Sequence, residues 1–123
     1  MSWLPHLENV MKDYRKMERH IKEIEMSYHD KLTLDRIFDC VKSEVQGARN
    51  KFPENEKMLA AFNEEAGEVT REFLQNHYGK GSNAQIFKEC IQTMAMCVRL
   101  IQEGDPDFNY RPEYNSYKKF TGT

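Results

Sequence analysis

Apolar residues recur at steps of three and four along most of this chain, the spacing of a helix with one buried face. Over residues 5–28, Leu7, Val10, Tyr14, Met17, Ile21, Ile24 and Tyr28 alternate these steps without a break. The pattern predicts one helix with a heptad seam about three heptads long. A seam this narrow packs on one helix, either of the same chain or of a second subunit. Met and Tyr at seam positions leave the oligomer state open. After a turn at residues 29–31, Thr33 can cap a second helix, whose face is Leu34, Ile37, Phe38, Val41, Val45 and Ala48. Pro53 breaks the pattern, because the residue before proline avoids helical geometry. A third helix is expected over residues 55–77, with Leu59, Phe62, Ala66, Val69 and Phe73 as its buried face. Tyr78-Gly79-Lys80-Gly81 is a turn, and Ser82 with Gln85 matches a capping box that opens a fourth helix. Phe87, Cys90, Ile91, Met94, Cys97, Val98 and Ile101 form its apolar face, and Gly104 with Pro106 beyond ends it. Residues 105–123 show no period, and no stretch alternates like a strand. The expected fold is all-α: a heptad helix over 1–31, a helical core over 32–104 and an aromatic and basic tail over 105–123.

The polar positions change the picture on the third and fourth helices. Glu65 and Glu68 are three apart and share one flank, which Ala61 and Glu72 extend. Glu89 and Gln92 repeat the spacing on the next helix, pointing away from its apolar face. If the two helices pack as antiparallel neighbours, their acidic turns converge. Carboxylates gathered without a basic partner repel one another, and a hard divalent cation relieves that repulsion. The plainer alternative is a solvated helix face, since glutamate favours helices and charge runs usually face water.

Composition narrows the class. A chain of 123 residues holds one domain with a modest core. A net charge of -2 argues against a general nucleic-acid or anionic-membrane surface. No apolar run approaches the ~20 residues of a membrane span, and no signal-peptide core opens the chain. Three cysteines suit a reducing cytoplasm better than a disulfide framework. Cys90 and Cys97, on an apolar face, read as buried thiols.

Glu64-Glu65-x-x-Glu68, followed some twenty residues later by Glu89-x-x-Gln92, resembles the Glu-Glu-x-x-Glu and Glu-x-x-Asp signature of the all-α nucleoside triphosphate pyrophosphohydrolases. Lys51-Phe52-Pro53 ahead of the motif is similar to the MazG branch of that superfamily. The likeness covers residues 34–105 and departs at Gln92, where the family has Asp. An amide oxygen still ligates a hard cation, but it has no charge and cannot act as a base. The resemblance implies a four-helix MazG-like bundle, completed as a homodimer or homotetramer. It implies hydrolysis of a nucleoside triphosphate to monophosphate and pyrophosphate. Glu65, Glu68 and Glu89 would hold magnesium, or manganese in its place, with Gln92 a weaker ligand. Glu64 and Glu65 are the catalytic candidates, Glu64 orienting or deprotonating water or supporting a ligand from behind. Lys80, Lys88 and Arg99 are the candidate phosphate-binding cations, with Arg111, Lys118 and Lys119 on the tail as others. The rival class is a non-catalytic helical oligomerisation or binding module that keeps the fold and has lost turnover through Gln92.

Three other patterns lead nowhere. Gly79-Lys80-Gly81-Ser82 lacks the spacing and the strand of a phosphate loop. Asp105, Asp107 and Asn109 begin like a calcium loop, but the glycine and final glutamate are missing. A di-iron bundle needs Glu-x-x-His motifs, and there are none.

Overall fold

The computed structural model describes residues 3–123, without the side chains of residues 26–30. The fold is all-α, with α1 Leu4–Asp30, α2 Leu34–Lys51, α3 Met58–His77, α4 Asn83–Glu103 and α5 Tyr114–Thr121. A 3-10 turn occupies Pro106–Phe108, and Asp105 and Tyr110 form an isolated antiparallel bridge. The chain divides into two compact units between Thr33 and Leu34. The first holds α1, where the heptad seam leads to one uninterrupted helix. Tyr28, the last predicted seam residue, lies outside the described side chains.

The second unit is built around α4, on which α2 and α3 each pack. Val41 and Val45 of α2 meet Ile91 and Ala95 of α4 in the core, with Ile37, Phe87, Met94 and Val98 against them. Each large aliphatic side chain buried there contributes roughly 1.5–3 kcal/mol. The α3–α4 hairpin turns at Gly79, whose φ of 76° suits a residue without Cβ. A Cβ on Gly81 would lie 2.8 Å from the Asn76 nitrogen, so the turn also needs glycine there. Ser82 Oγ accepts from the Gln85 amide at 3.1 Å, as the capping pattern predicts. The Gln85 side chain does not complete the box. Its Nε2 donates to Glu89 Oε1 at 3.2 Å instead.

Four expectations are corrected. The third helix begins at Met58 rather than 55, because Lys57 sits in the left-handed region at φ 52°. Phe73, assigned to a buried face, is exposed, whereas Glu72 is buried. Met58, Glu65 and Glu72 are seven apart, so α3 has turned its acidic stripe inward. Cys97 is exposed and only Cys90 is half-buried, since α2 and α3 do not cover the whole apolar arc of α4. Finally, the tail is not featureless. It contains α5, where the Tyr114 and Tyr117 rings stack 5.5 Å apart and Gly122 closes the helix. Aromatics three apart with no aliphatic neighbours gave too weak a period to read.

Lys57 offers α3 no side-chain cap. Asp105 supplies one from beyond α4: its Oδ2 accepts from the Leu59 amide at 2.9 Å, and its Oδ1 from the Asp107 amide at 3.0 Å. Asp105 is 2% exposed, so neither bond competes with water. Asp105→Ala is expected to cost about 1–2 kcal/mol, as loss of a helix cap does, and to lower Tm by roughly 5–10 °C. An unchanged thermal melt would refute the capping role.

Candidate metal centre

The acidic stripes of α3 and α4 meet inside the hairpin. Glu65 and Glu89 lie within hydrogen-bonding reach of one another, although 24 positions apart in sequence. Glu89, expected to point away from the packed face, is 7% exposed. It is buried because α4 is central and presents one side to α2 and another to α3. Burial pushes the Glu65 carboxyl above the usual carboxylate range. The charge and hydrogen bond of Glu89 push it further, followed by the charges of Glu64 and Glu68. The charges that raise it are all acidic, so Glu65 carries a like-charge repulsion.

Glu65 and Gln92 open onto a cleft of about 260 Å³ between α2, α3 and α4. Glu44, Lys51, Phe52, Met96 and Arg99 complete most of its wall. The other predicted site residues are placed differently. Glu64 is exposed beside the stripe. Glu68 is half-buried, and its carboxylate accepts a hydrogen bond from Arg71 on the same helix. Lys80, in the turn, and Lys88, on α4, are exposed and do not line the cleft. Among the described residues, no three His, Cys, Asp or Glu side chains are gathered as a metal-binding group. With Glu68 on Arg71, the predicted set reaches the cleft through Glu65 and Gln92, and Glu89 lies near Glu65 without lining it.

Arg99 lines the cleft yet is only 2% exposed. Its Nε donates to Glu103 Oε2 at 2.7 Å, and its Nη2 to Glu103 Oε1 at 3.1 Å and to the Phe52 carbonyl at 2.8 Å. Arg49 adds a longer ion pair to Glu103 at 3.5 Å. These bonds hold the guanidinium as a brace between α4 and the end of α2. A cation outside the predicted set, Lys51 at the end of α2, also lines the cleft. Its signal was the Lys51-Phe52-Pro53 run, since a proline two residues on fixes where that helix stops. Glu72 was also passed over as a site residue, because its place on the acidic stripe does not by itself announce burial.

The donor set has the chemistry of a hard-cation site. Glu65 and Glu89 offer carboxylate oxygens near one another, and Gln92 offers an amide oxygen on the same cleft as Glu65. No family model, no curated protein and no solved structure matches this chain.

Proposed function

We propose that this chain is a MazG-like, magnesium-dependent pyrophosphohydrolase of the cytoplasm that cleaves a nucleoside triphosphate to monophosphate and pyrophosphate. The observation that supports this most is the contact between Glu65 and Glu89. Two carboxylates brought together beside a cleft, one of them also near Glu64 and Glu68, are unfavourable alone and suited to a divalent cation. Glu65, Glu89 and Gln92 would hold magnesium, with Glu68 joining. Bound there, magnesium would neutralise phosphate oxygens and make an attached water more acidic. Glu64, exposed next to Glu65, would orient the attacking water and take its proton. Lys51, on the same cleft, would offer positive charge to the phosphates.

The rival reading is a binding module that retains this fold without turnover. It draws support from Gln92, which lacks the family's charge, and from the pairing of Glu68 with Arg71. Pyrophosphate release from a panel of nucleoside triphosphates, with and without magnesium, separates the two. The expected result is magnesium-dependent release from at least one of them. Release from none, by a folded protein, would favour the module, and Gln92→Asp would then test whether the missing charge accounts for the loss.

A further inference from the structure

The cleft between α2, α3 and α4 carries a carboxylate that the paired acidic motif does not account for. Glu44 of α2 is half-buried and lines the cleft together with Glu65 of α3 and Gln92 of α4. Among the described residues, none pairs with the Glu44 carboxylate, whereas Glu68 is engaged by Arg71, and Glu103 by Arg99 and Arg49. We propose that Glu44 supplies, from a third helix, the negative charge that Gln92 leaves out, and that it acts through water held by the metal.

Helical register puts Glu44 at the acidic end of the cleft. The lining residues of α2 are Glu44, Gly47, Ala48 and Lys51, whose steps of three and four make one face. Those of α4 are Gln92, Ala95, Met96 and Arg99, with the same steps. Arg99 donates to the Phe52 carbonyl and Arg49 donates to Gln102, so the C-terminal ends of the two helices meet. Glu44 and Gln92 each come two turns before that meeting point, roughly 10 Å back along their helices. They therefore share the end of the cleft that holds Glu65, and Lys51 stands at the other end with Arg99. Between them, a Cβ added to Gly47 would meet nothing within 4 Å. No neighbour requires glycine there, although glycine weakens a helix. The missing side chain leaves space one turn from Glu44.

Distance decides how Glu44 acts. Among the described residues, no three acidic, histidine or cysteine side chains gather closely enough to grip an ion directly. Magnesium does not need that, because it keeps several of its waters and takes only one or two carboxylates. A carboxylate elsewhere on the cleft then accepts charge-assisted hydrogen bonds from those waters. Its charge also attracts the dication without direct contact. In this arrangement Glu65 ligates the ion from α3, and Glu44 holds the ion's water from α2. The ion is drawn toward the helix that ends in Lys51, which would meet the phosphates. This role rests on the magnesium reading of the cleft given above.

The test is a set of thermal melts of the full chain across a titration of magnesium chloride, without nucleotide. The rise in Tm over the EDTA baseline gives the dissociation constant. The samples are wild type, Glu44→Gln, Gln92→Asp, the double variant, and Glu56→Gln as a control for net charge. Glu56 is exposed and does not line the cleft. Glu44→Gln should weaken magnesium binding by about tenfold, and Glu56→Gln should leave it nearly unchanged. Gln92→Asp should tighten it. The double variant should return close to wild type, because a charge removed from α2 is replaced at the same end by one on α4. That rescue separates lost charge from lost fold, since a damaged α2 is not repaired by a charge on another helix. Wild-type affinity in Glu44→Gln would overturn the role of Glu44 and leave the magnesium site standing. Weakening that Gln92→Asp fails to repair would overturn the exchange of charge. A wild type that magnesium does not stabilise would overturn both this role and the reading beneath it.

Discussion

Glu103→Leu is expected to lower the unfolding free energy by about 3 kcal/mol and Tm by on the order of 15 °C. The reason lies in what the substitution leaves behind. Arg99 is almost fully buried, and Glu103 accepts from two of its nitrogens. Without that carboxylate, a guanidinium stays out of water with only the Phe52 carbonyl for a partner. Arg99→Met should cost less, because it removes the buried charge itself and exposes only a half-buried carboxylate that Arg49 still faces. The double variant should cost less than the two singles together, the mark of a coupled pair. The pair also sets an acid limit. The hydrogen bond from Arg99 holds the Glu103 carboxyl below its ordinary 4.5. A carboxyl lowered on folding binds fewer protons in the native state. Its contribution is therefore complete above the unfolded value and disappears as pH falls through the folded one. Acid titration of wild type and Glu103→Gln should converge at low pH. Parallel titrations would remove the linkage.

Glu65→Gln should move stability and activity in opposite directions. The Glu65 carboxyl is raised above 4.5 by burial and then by Glu89. The native state thus holds this proton more tightly than the unfolded state does. Stability from this group falls as pH climbs from the unfolded value to the folded one, and above that the ionised group carries its full penalty. Glutamine has no such penalty, so the metal-free variant should melt higher at neutral pH, and the gain should vanish in acid. Magnesium should reverse the order. It stabilises wild type by binding only the folded chain, and the variant should respond little. Turnover should drop by at least about a hundredfold. A variant less stable than wild type without magnesium would show that the Glu65–Glu89 contact serves folding rather than ligand binding.

Periodicity located the helices of the core well because their apolar faces are regular and their ends carry local signals. Ser82 and Gly104 act on their own helices, and both could be read directly. The entry of α3 could not, since Asp105, 46 residues away from Leu59, does the capping. The acidic residues were legible as a spacing on two helices, and the meeting of Glu65 with Glu89 follows from that spacing once the hairpin closes. Which side of α3 turns inward was not legible. An apolar stripe through Phe73 competes with the stripe through Glu72, and the choice depends on how much of α3 a central α4 can cover. Arg99 looked like a free cation because its partners, Phe52 and Glu103, become neighbours only through the packing of α2 on α4.

The bonds that Asp105 and Arg99 make reach backward along the chain, to Leu59 and Phe52. During synthesis the N-terminal end leaves the ribosome first, so α2 and α3 emerge well before the residues that fasten their ends. A nascent chain that stops short of Arg99 has no brace at the close of α2. One that stops short of Asp105 has none at the start of α3. Helices can form earlier, but the core cannot lock until Arg99 and Asp105 have emerged. A chaperone that meets the chain before then would find its acidic hairpin still open.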